Sequence, residues 1–220
     1  MMRVFCDFDG TVAEEDVGNR LFSTFGGTAA EDAVRRLLSG MITAQECLRL
    51  ECSLIRNLSA GEFAAWVDGF RLDPEFSAFV RFCEELQVPI HILSDGLDLY
   101  VGRMLKNEGL ERIPFFANHG EFVSQNGRVT LVPTFPYRDA ECDQCGNCKR
   151  NHLATLSGDE DVVVYVGDGI SDRCAVGYAD IVFARDDLIP YCQSKNITYH
   201  TFRHFGDVRE RLKSLRAQGK

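Results

Sequence analysis

The sequence predicts an α/β fold: a three-layer, Rossmann-like parallel sheet carrying an inserted helical segment and a small β-hairpin. Three observations predict it. Short apolar runs that read as strands alternate with amphipathic helical stretches through the second two thirds of the chain, the pattern of a parallel sheet with helical crossovers. Residues 162–166 are an unbroken apolar run of the kind buried on both faces. Two acidic strings, Asp7-Phe8-Asp9-Gly10-Thr11-Val12 and Gly167-Asp168-Gly169-Ile170-Ser171-Asp172, each follow directly on such a run. Carboxylates at the carboxyl ends of neighbouring strands converge on one crevice.

The elements follow in order. Residues 3–8 form the first strand. From about Asp16 to Phe70 the signals turn helical. Thr28 with Glu31, Thr43 with Glu46 and Ser59 with Glu62 have the spacing of capping boxes, in which a hydroxyl and a carboxylate three residues apart satisfy each other's backbone N–H groups. Apolar stripes follow each: Val34, Leu37 and Leu38; Cys47, Leu50 and Leu54; Phe63, Trp66 and Val67. The expected division is a core of residues 1–14 and 72–220 and a helical cap of residues 15–71. Gly26-Gly27 reads as a turn. Asp73 and Pro74 are placed to open the next helix as N-cap and first helical residue, with Phe76, Phe79, Val80, Cys83 and Leu86 as its buried stripe.

A strand over 89–93 then ends at Ser94-Asp95-Gly96, and a helix over 97–107 leads to a short strand at 115–117. Asn126-Gly127 between two apolar runs predicts a tight hairpin, because that pair adopts the positive φ angles such turns need. A loop with a cysteine cluster leads to a helix near Lys149. After the 162–166 strand come a helix beyond Asp172, a strand at 181–184, a helix, a strand at 197–199 and a last helix with Phe205, Val208, Leu212 and Leu215 inward.

Composition narrows the function. The 220 residues are 45% hydrophobic, ample for a core. A net charge of -9 argues against nucleic acid as partner, since a phosphate backbone demands a basic face. No apolar run is long enough to span a bilayer, and the first residues enter a strand without a leader-like pattern. A cytoplasmic protein acting as monomer or homodimer, with neither nucleic acid nor membrane as partner, is expected. Most of the nine cysteines, Cys6 and Cys83 among them, fall in apolar patterns and read as reduced core residues.

The acidic strings permit phosphoryl transfer. Asp7 is ionised at neutral pH and needs no base to attack phosphorus, provided a cation cancels the repulsion. Asp168, on another strand end, is suited to hold that cation, and magnesium prefers a few carboxylates, water and substrate oxygens. Asp9 shares a face with Asp7 in an extended strand. Once Gly10 and Thr11 bend the chain, Asp9 can protonate the leaving group and then deprotonate water. Ser94, with the N–H groups of Asp95 and Gly96, reads either as a phosphate cradle or as a plain turn. Lys149 and Arg150 are the candidate cations for the transferring group. Asp172 either fixes that lysine, touches a metal-bound water or caps the next helix. Glu14, Glu15 and Asp16 stand at the junction with the helical insert, as a contact for a cationic head group or as a solvated face. His91, on an apolar strand, reads as a satisfied core histidine.

Cys142, Cys145 and Cys148, with His152 four residues on, offer a zinc set. The other reading is a tight loop that presents Lys149.

Asp7-Phe8-Asp9-Gly10-Thr11-Val12, the strand ending in Ser94, Lys149 and Gly167-Asp168-Gly169-Ile170-Ser171-Asp172, in this order, resemble the four motifs of the haloacid-dehalogenase superfamily, and the helical insert resembles its C1-type cap. The resemblance implies Asp7 as nucleophile and Asp9 as acid and base. It implies magnesium held by Asp7, the Asp9 carbonyl and Asp168, and a phosphoryl group bound by Ser94 and Lys149. Cys145-Gly146-Asn147-Cys148-Lys149 is similar to a segment of the methionine-salvage phosphatases, which act on 2-hydroxy-3-keto-5-methylthiopentenyl 1-phosphate. Phe183-Ala184-Arg185-Asp186 looks like part of the same group. The Gly-Asp-Gly-Ile-Ser-Asp string stands closer to the phosphoserine phosphatases. These and the phosphocholine/phosphoethanolamine phosphatases are the alternatives within the class. A metal-binding regulatory module with a vestigial site is the alternative outside it. A small-molecule phosphate ester is the expected partner.

Overall fold

The computed structural model describes residues 1–217 except Asn126, Ala140 and Asp143. Seven strands form one sheet: β1 (Met2–Asp7), β2 (Ile90–Leu97), β3 (Phe115–Gln125), β4 (Arg128–Thr134), β5 (Val162–Gly167), β6 (Ile181–Ala184) and β7 (His200–Thr201). Their order is β4-β3-β2-β1-β5-β6-β7. Every pairing is parallel except β3 with β4.

Alternation along β1 explains the layers. Val4 and Cys6 point to one face and Phe5 to the other, all fully buried, because successive strand residues face opposite sides. The Val4 face packs with Val164, Val166 and the aromatic residues Phe76, Phe79 and Phe205. These come from α5 (Phe76–Glu85) and α9 (Phe205–Ala217), which with α6 (Asp98–Asn107) cover that side. The Phe5 face packs with Tyr165 of β5 and with Leu153, Leu188 and Cys192, from α7 (Lys149–Leu156) and α8 (Leu188–Ser194).

Between β1 and α5 lie four helices, α1 (Val17–Gly26), α2 (Thr28–Leu38), α3 (Ala44–Leu54) and α4 (Ala60–Val67). The chain enters and leaves this segment side by side. Ala13 bridges Leu72, the Glu14 N–H donates to Arg71 O at 3.1 Å, and the Asp73 N–H donates to Val12 O at 2.8 Å. A second tether comes from the hairpin. Arg56 bridges Thr130, the Asn57 N–H donates to Val129 O at 3.2 Å, and the Phe63 and Phe122 rings meet edge-on at 5.3 Å.

Several expectations need correction. The Thr43 and Ser59 capping boxes form as predicted. Thr28 makes no cap, because Gly27, at φ 63°, takes the N-cap position and leaves Thr28 already helical. The predicted α2 stripe is only partly inward, with Val34 and Leu37 half-buried. Ala30 and Ala33 are buried while Leu38 is 59% exposed. Small side chains win that face because α1 and α3 approach closely there: a Cβ at Gly26 would stand 3.1 Å from Ala30 and 3.3 Å from Leu54. In α3 the buried residues are Cys47, Leu48, Glu51 and Cys52, with Leu50 exposed.

Helix α5 starts at Phe76, with Asp73 accepting from the Glu75 N–H at 2.9 Å as a turn ahead of the helix. The short strand at 115–117 continues without a break into the hairpin as one strand, β3. The Gly127 half of the turn has φ 74°, while Asn126 lies outside the described residues. Between Asp172 and β6 the expected α-helix does not form. Two single turns, at Ile170–Asp172 and Val176–Tyr178, fill the connection to β6, because the Asp172 side chain folds back onto the Asp168 and Gly169 N–H groups. The last strand is His200–Thr201 rather than 197–199. His91 is partly buried and stacks on Phe5, but its Nδ1 has no partner.

Candidate active site

The parallel order brings the ends of β1, β2 and β5 together. Asp7 ends β1, Ser94 lies near the end of β2, and Asp168 follows Gly167 at the end of β5. Beyond Asp7 the chain makes a wide turn over Phe8–Val12, with Gly10 at φ 70°. Glycine is required there twice over. The left-handed φ disfavours a side chain, and a Cβ would stand 2.5 Å from Asp168 Oδ2. Thr11 completes the turn by donating its hydroxyl to Asp168 Oδ1 at 3.0 Å.

Lys149, the first residue of α7, is 2% exposed. Its ammonium donates to Asp7 Oδ1, to Ser171 Oγ at 2.7 Å and to Asp172 Oδ1 at 2.7 Å. Burial disfavours the ammonium, but Asp172 and Asp7 outweigh it and hold the lysine protonated. Asp172 is fully buried. It also accepts from Tyr165 Oη at 2.6 Å and from the Asp168 and Gly169 N–H groups at 3.0 Å. Asp172 therefore binds the lysine, while the reading as a cap of the next helix fails: the side chain turns back to the N–H groups that precede it.

Asp9 is bonded on every side. Oδ1 accepts from the Val17 N–H at 3.0 Å and the Gly18 N–H at 3.2 Å, and Oδ2 accepts from Ser94 Oγ at 3.1 Å and Tyr100 Oη at 2.8 Å. Burial, then the charge of Asp16, lifts its carboxyl to about 7 against the opposing pull of those bonds. Burial likewise pushes Asp7 and Asp168 up, with Asp172 adding to both.

Ser94 is fully buried, and its hydroxyl also accepts from the Gly96 N–H at 3.0 Å. The Asp95 carboxylate accepts from the Asn147 N–H at 3.0 Å, so it faces the cysteine loop. Arg150 turns away to pair with Asp139 at 2.5 Å. Asp16 caps α1 by accepting from the Asn19 N–H at 2.7 Å. Glu15 is an exposed partner of Arg20. Glu51, on the inner side of α3, is 8% exposed, and burial with the charge of Asp16 lifts it to about 7.

Among the described residues, the carboxylates of Asp7, Asp168 and Asp172 form a group whose oxygens lie within 4.8 Å of one another. Three carboxylates face one ammonium, Lys149. The excess of negative charge and the all-oxygen donor set fit a hard divalent cation such as magnesium. The predicted thiol and imidazole set does not assemble in this way. No three of Cys142, Cys145, Cys148 and His152 form such a group among the described residues. His152 Nε2 is engaged by Asn147 Oδ1 at 2.6 Å, and its ring lies 4.4 Å from that of Phe116.

The sequence assigns no role to Tyr100 or Tyr165, and carries Asn147 and Arg185 only as members of longer strings. The side chain of Arg185 donates to Gly10 O and, at 2.8 Å, to Arg203 O, so it ties the β1 turn to the far end of the sheet. The tyrosines sit in ordinary apolar runs and carry no local signal. Asn147 lies inside the Cys-Gly-Asn-Cys-Lys string but was passed over for its cysteines.

A family model described as Putative Phosphatase matches residues 2–201. Proteins of Bacillus cereus and Bacillus anthracis named 2-hydroxy-3-keto-5-methylthiopentenyl-1-phosphate phosphatase are 31% identical over 215 residues, covering 97% of each chain. Among solved structures, a phosphoserine phosphatase carrying a phospho-aspartyl intermediate analogue superimposes with a TM-score of 0.71 at 18% identity, over 97% of this chain and 99% of that one. The phosphoserine phosphatase of T. onnurineus gives 0.69 at 18% identity, over 96% and 94%. At these identities the structural likeness shows a shared fold, that of these phosphoserine phosphatases.

Proposed function

Since this chain belongs to the phosphatase family whose model spans residues 2–201, we propose that it hydrolyses a small phosphate monoester through a phosphoaspartate on Asp7, with 2-hydroxy-3-keto-5-methylthiopentenyl 1-phosphate as substrate. The carrying observation is one ammonium, Lys149, bonded to both Asp7 and Asp172 inside a group of three carboxylates. The names of the full-length relatives support the substrate.

Asp7, Asp168 and the backbone carbonyl of Asp9 would hold magnesium, with Asp172 supporting indirectly. The ion would supply charge neutralisation between carboxylate and phosphoryl oxygens. The chain's own residues do the rest. Asp7 attacks phosphorus, forming an acyl phosphate as the ester oxygen departs. Asp9, held by four hydrogen bonds and lifted to about 7, gives the departing oxygen its proton. In the second half it takes a proton from water as that water attacks the phosphoaspartate, which restores both groups. Lys149 shares its charge between nucleophile and transferring group. In this reading the Ser94 hydroxyl, which here donates to Asp9 and accepts from the Gly96 N–H, turns its hydrogen to a phosphoryl oxygen beside the Asp95 N–H. Tyr165 and the N–H groups of Asp168 and Gly169 fix Asp172, which fixes the lysine.

Residues 15–71 act in this reading as a cap that excludes water and selects the organic group. The cysteine loop serves to present Lys149. No specific observation favours the regulatory-module alternative, and the phosphoserine-type structures share the fold at 16–19% identity.

The test is phosphate release with magnesium from the salvage intermediate, phosphoserine and phosphocholine. The salvage intermediate is expected to have the highest kcat/KM. Asp7→Asn, nearly isosteric, is expected to keep the fold and lose turnover by at least about 1,000-fold. Preference for phosphoserine or phosphocholine would overturn the substrate, and an active, pure Asp7→Asn protein would overturn the nucleophile.

A further inference from the structure

The Cys-Gly-Asn-Cys-Lys string is the one sequence motif that the reaction does not fully absorb. Among the described residues its thiols form no ligand group, yet Gly146, Asn147 and Cys148 are buried. The residue that holds the loop is Asn147, which is 1% exposed. Its Nδ2 donates to Ser94 O at 2.8 Å and to Phe116 O at 2.8 Å. Its backbone N–H donates to Asp95 Oδ1 at 3.0 Å. Both amide hydrogens are thus committed to carbonyls at the ends of β2 and β3. The orientation of the amide is therefore decided: a flipped group would set an oxygen against two carbonyl oxygens.

That leaves Oδ1, which meets His152 Nε2 at 2.6 Å. An amide oxygen can only accept, so His152 must carry its hydrogen on Nε2. The imidazole is boxed between the rings of Phe116 and Tyr137, with centroids 4.4 Å and 5.2 Å away. Burial, then the charge of His91, lowers its pKa to about 4, so it is uncharged at neutral pH. Neighbouring contacts close the unit. Asn118 Nδ2 donates to Asp95 O at 2.7 Å, and the Cys148 N–H donates to Tyr137 O at 3.1 Å. Gly146 presses on Asn118 and Phe135, where a Cβ would stand 2.9 Å from each. Ser94 and Asp95 belong to the phosphate cradle and Lys149 follows two residues on, so one side chain spans both halves of the phosphoryl-binding apparatus.

We propose that Asn147, locked in orientation by the imidazole of His152, is the positioning residue that holds the β2 phosphate cradle and the Lys149 ammonium in one rigid unit. It touches no substrate and acts through Ser94, Asp95 and Lys149. The reading rests on the phosphatase function above. It replaces a metal role for the motif with a hydrogen-bonded one. The two elements that must close on a phosphoryl group, a strand end and a helix start, come from distant parts of the chain, and a misplacement of about 1 Å between them costs on the order of 100-fold in rate.

The experiment has an arm that needs no activity. Long-range 15N–1H correlation spectra of the wild-type protein, with His152→Gln for assignment, read the tautomer of His152. The Nε2–H form, unchanged between pH 6 and 8, is expected. An Nδ1–H form, or protonation within that range, overturns the lock. Kinetics with p-nitrophenyl phosphate and magnesium supply the second arm. Asn147→Asp keeps the shape but replaces two donors with acceptors, and is expected to lower kcat by about 100-fold. His152→Ala is expected to lose about 10-fold. His152→Gln, whose amide can donate to Asn147 Oδ1, is expected to recover to within about 3-fold of wild type. Wild-type kcat in folded Asn147→Asp, or equal losses in His152→Ala and His152→Gln, overturns the proposal. A wild-type protein inactive on every ester overturns the phosphatase reading instead, while the spectra still decide the lock.

Discussion

At the scale of single residues, the site is a set of charges held by neutral donors. Asp9 has four such donors and Asp172 has three besides Lys149. These contacts limit how far the charged groups can relax, which is what electrostatic preorganisation requires. Arg185 extends the logic to the backbone. Its guanidinium joins Gly10 O to Arg203 O and lies over the Phe202 ring at 5.1 Å. Arg185→Ala is expected to lower kcat by about 10-fold with little change in KM, because the turn carrying Asp9 and Thr11 loses its outer support. Added guanidinium ion is expected to restore part of the loss. Steady-state kinetics with and without guanidinium check this, and an unchanged kcat would remove Arg185 from the positioning set.

Among the elements, α3 carries a cost. Glu51 lies on its inner face beside Cys47 and within the field of Asp16. Its folded pKa of about 7 stands above the ordinary 4.5. A raised carboxyl pKa means the unfolded chain ionises first, so stability falls as pH rises from 4.5 to about 7 and then levels. Glu51→Gln removes that term. Its Tm is expected to match wild type near pH 4.5 and to exceed it above pH 7, with an upper bound of about 3 kcal/mol. Thermal melts across that range check it, and a constant offset at all pH values contradicts it. The hairpin is the second element with a task beyond its own fold, since β4 and Phe122 brace the helical segment through contacts separate from the Ala13–Leu72 crossing. Phe122→Ala is expected to raise KM for the salvage intermediate about 10-fold while changing p-nitrophenyl phosphate turnover less than about 2-fold. Equal losses on both substrates would count against a selecting role for residues 15–71.

In the molecule as a whole, the central strands β1 and β5 are locked at their amino ends as firmly as the site locks their carboxyl ends. Asp161 pairs with Arg3 at 2.5 Å and with the Met1 amino group at 2.9 Å. Arg3, then the Gly158 N–H and the amino terminus, hold its carboxyl below the usual range. A depressed carboxyl pKa stabilises the fold fully above the ordinary value of 3.8, and that contribution is lost progressively as pH falls below it toward the depressed value. Asp161→Asn is therefore expected to melt below wild type at pH 7 and to show a smaller gap near pH 2. Melts at the two pH values check this, and a gap that persists undiminished in acid would assign the loss to packing instead.

The parallel sheet, the two acidic strings and Lys149 were legible in order because each depends on local signals: apolar runs, turn residues and short spacings. Strand alternation and the carboxyl-end rule then place Asp7 and Asp168 in one crevice without further information. The exposure of Leu38 on α2, the absence of a helix between Asp172 and β6 and the fate of the cysteine loop were not legible. Each is decided by competition between distant groups. Ala30 and Ala33 win burial over Leu38 only because α1 and α3 come so close. The loop after Asp168 stays short because Asp172 is claimed by Lys149, Tyr165 and two N–H groups. His152 bonds to Asn147 rather than gathering with thiols because the ends of β2 and β3 consume the amide hydrogens. By itself the sequence determined the chemistry available, since residue types carry it. Tertiary structure alone decided which partner each buried polar group takes, because a buried hydrogen bond is won by proximity in space.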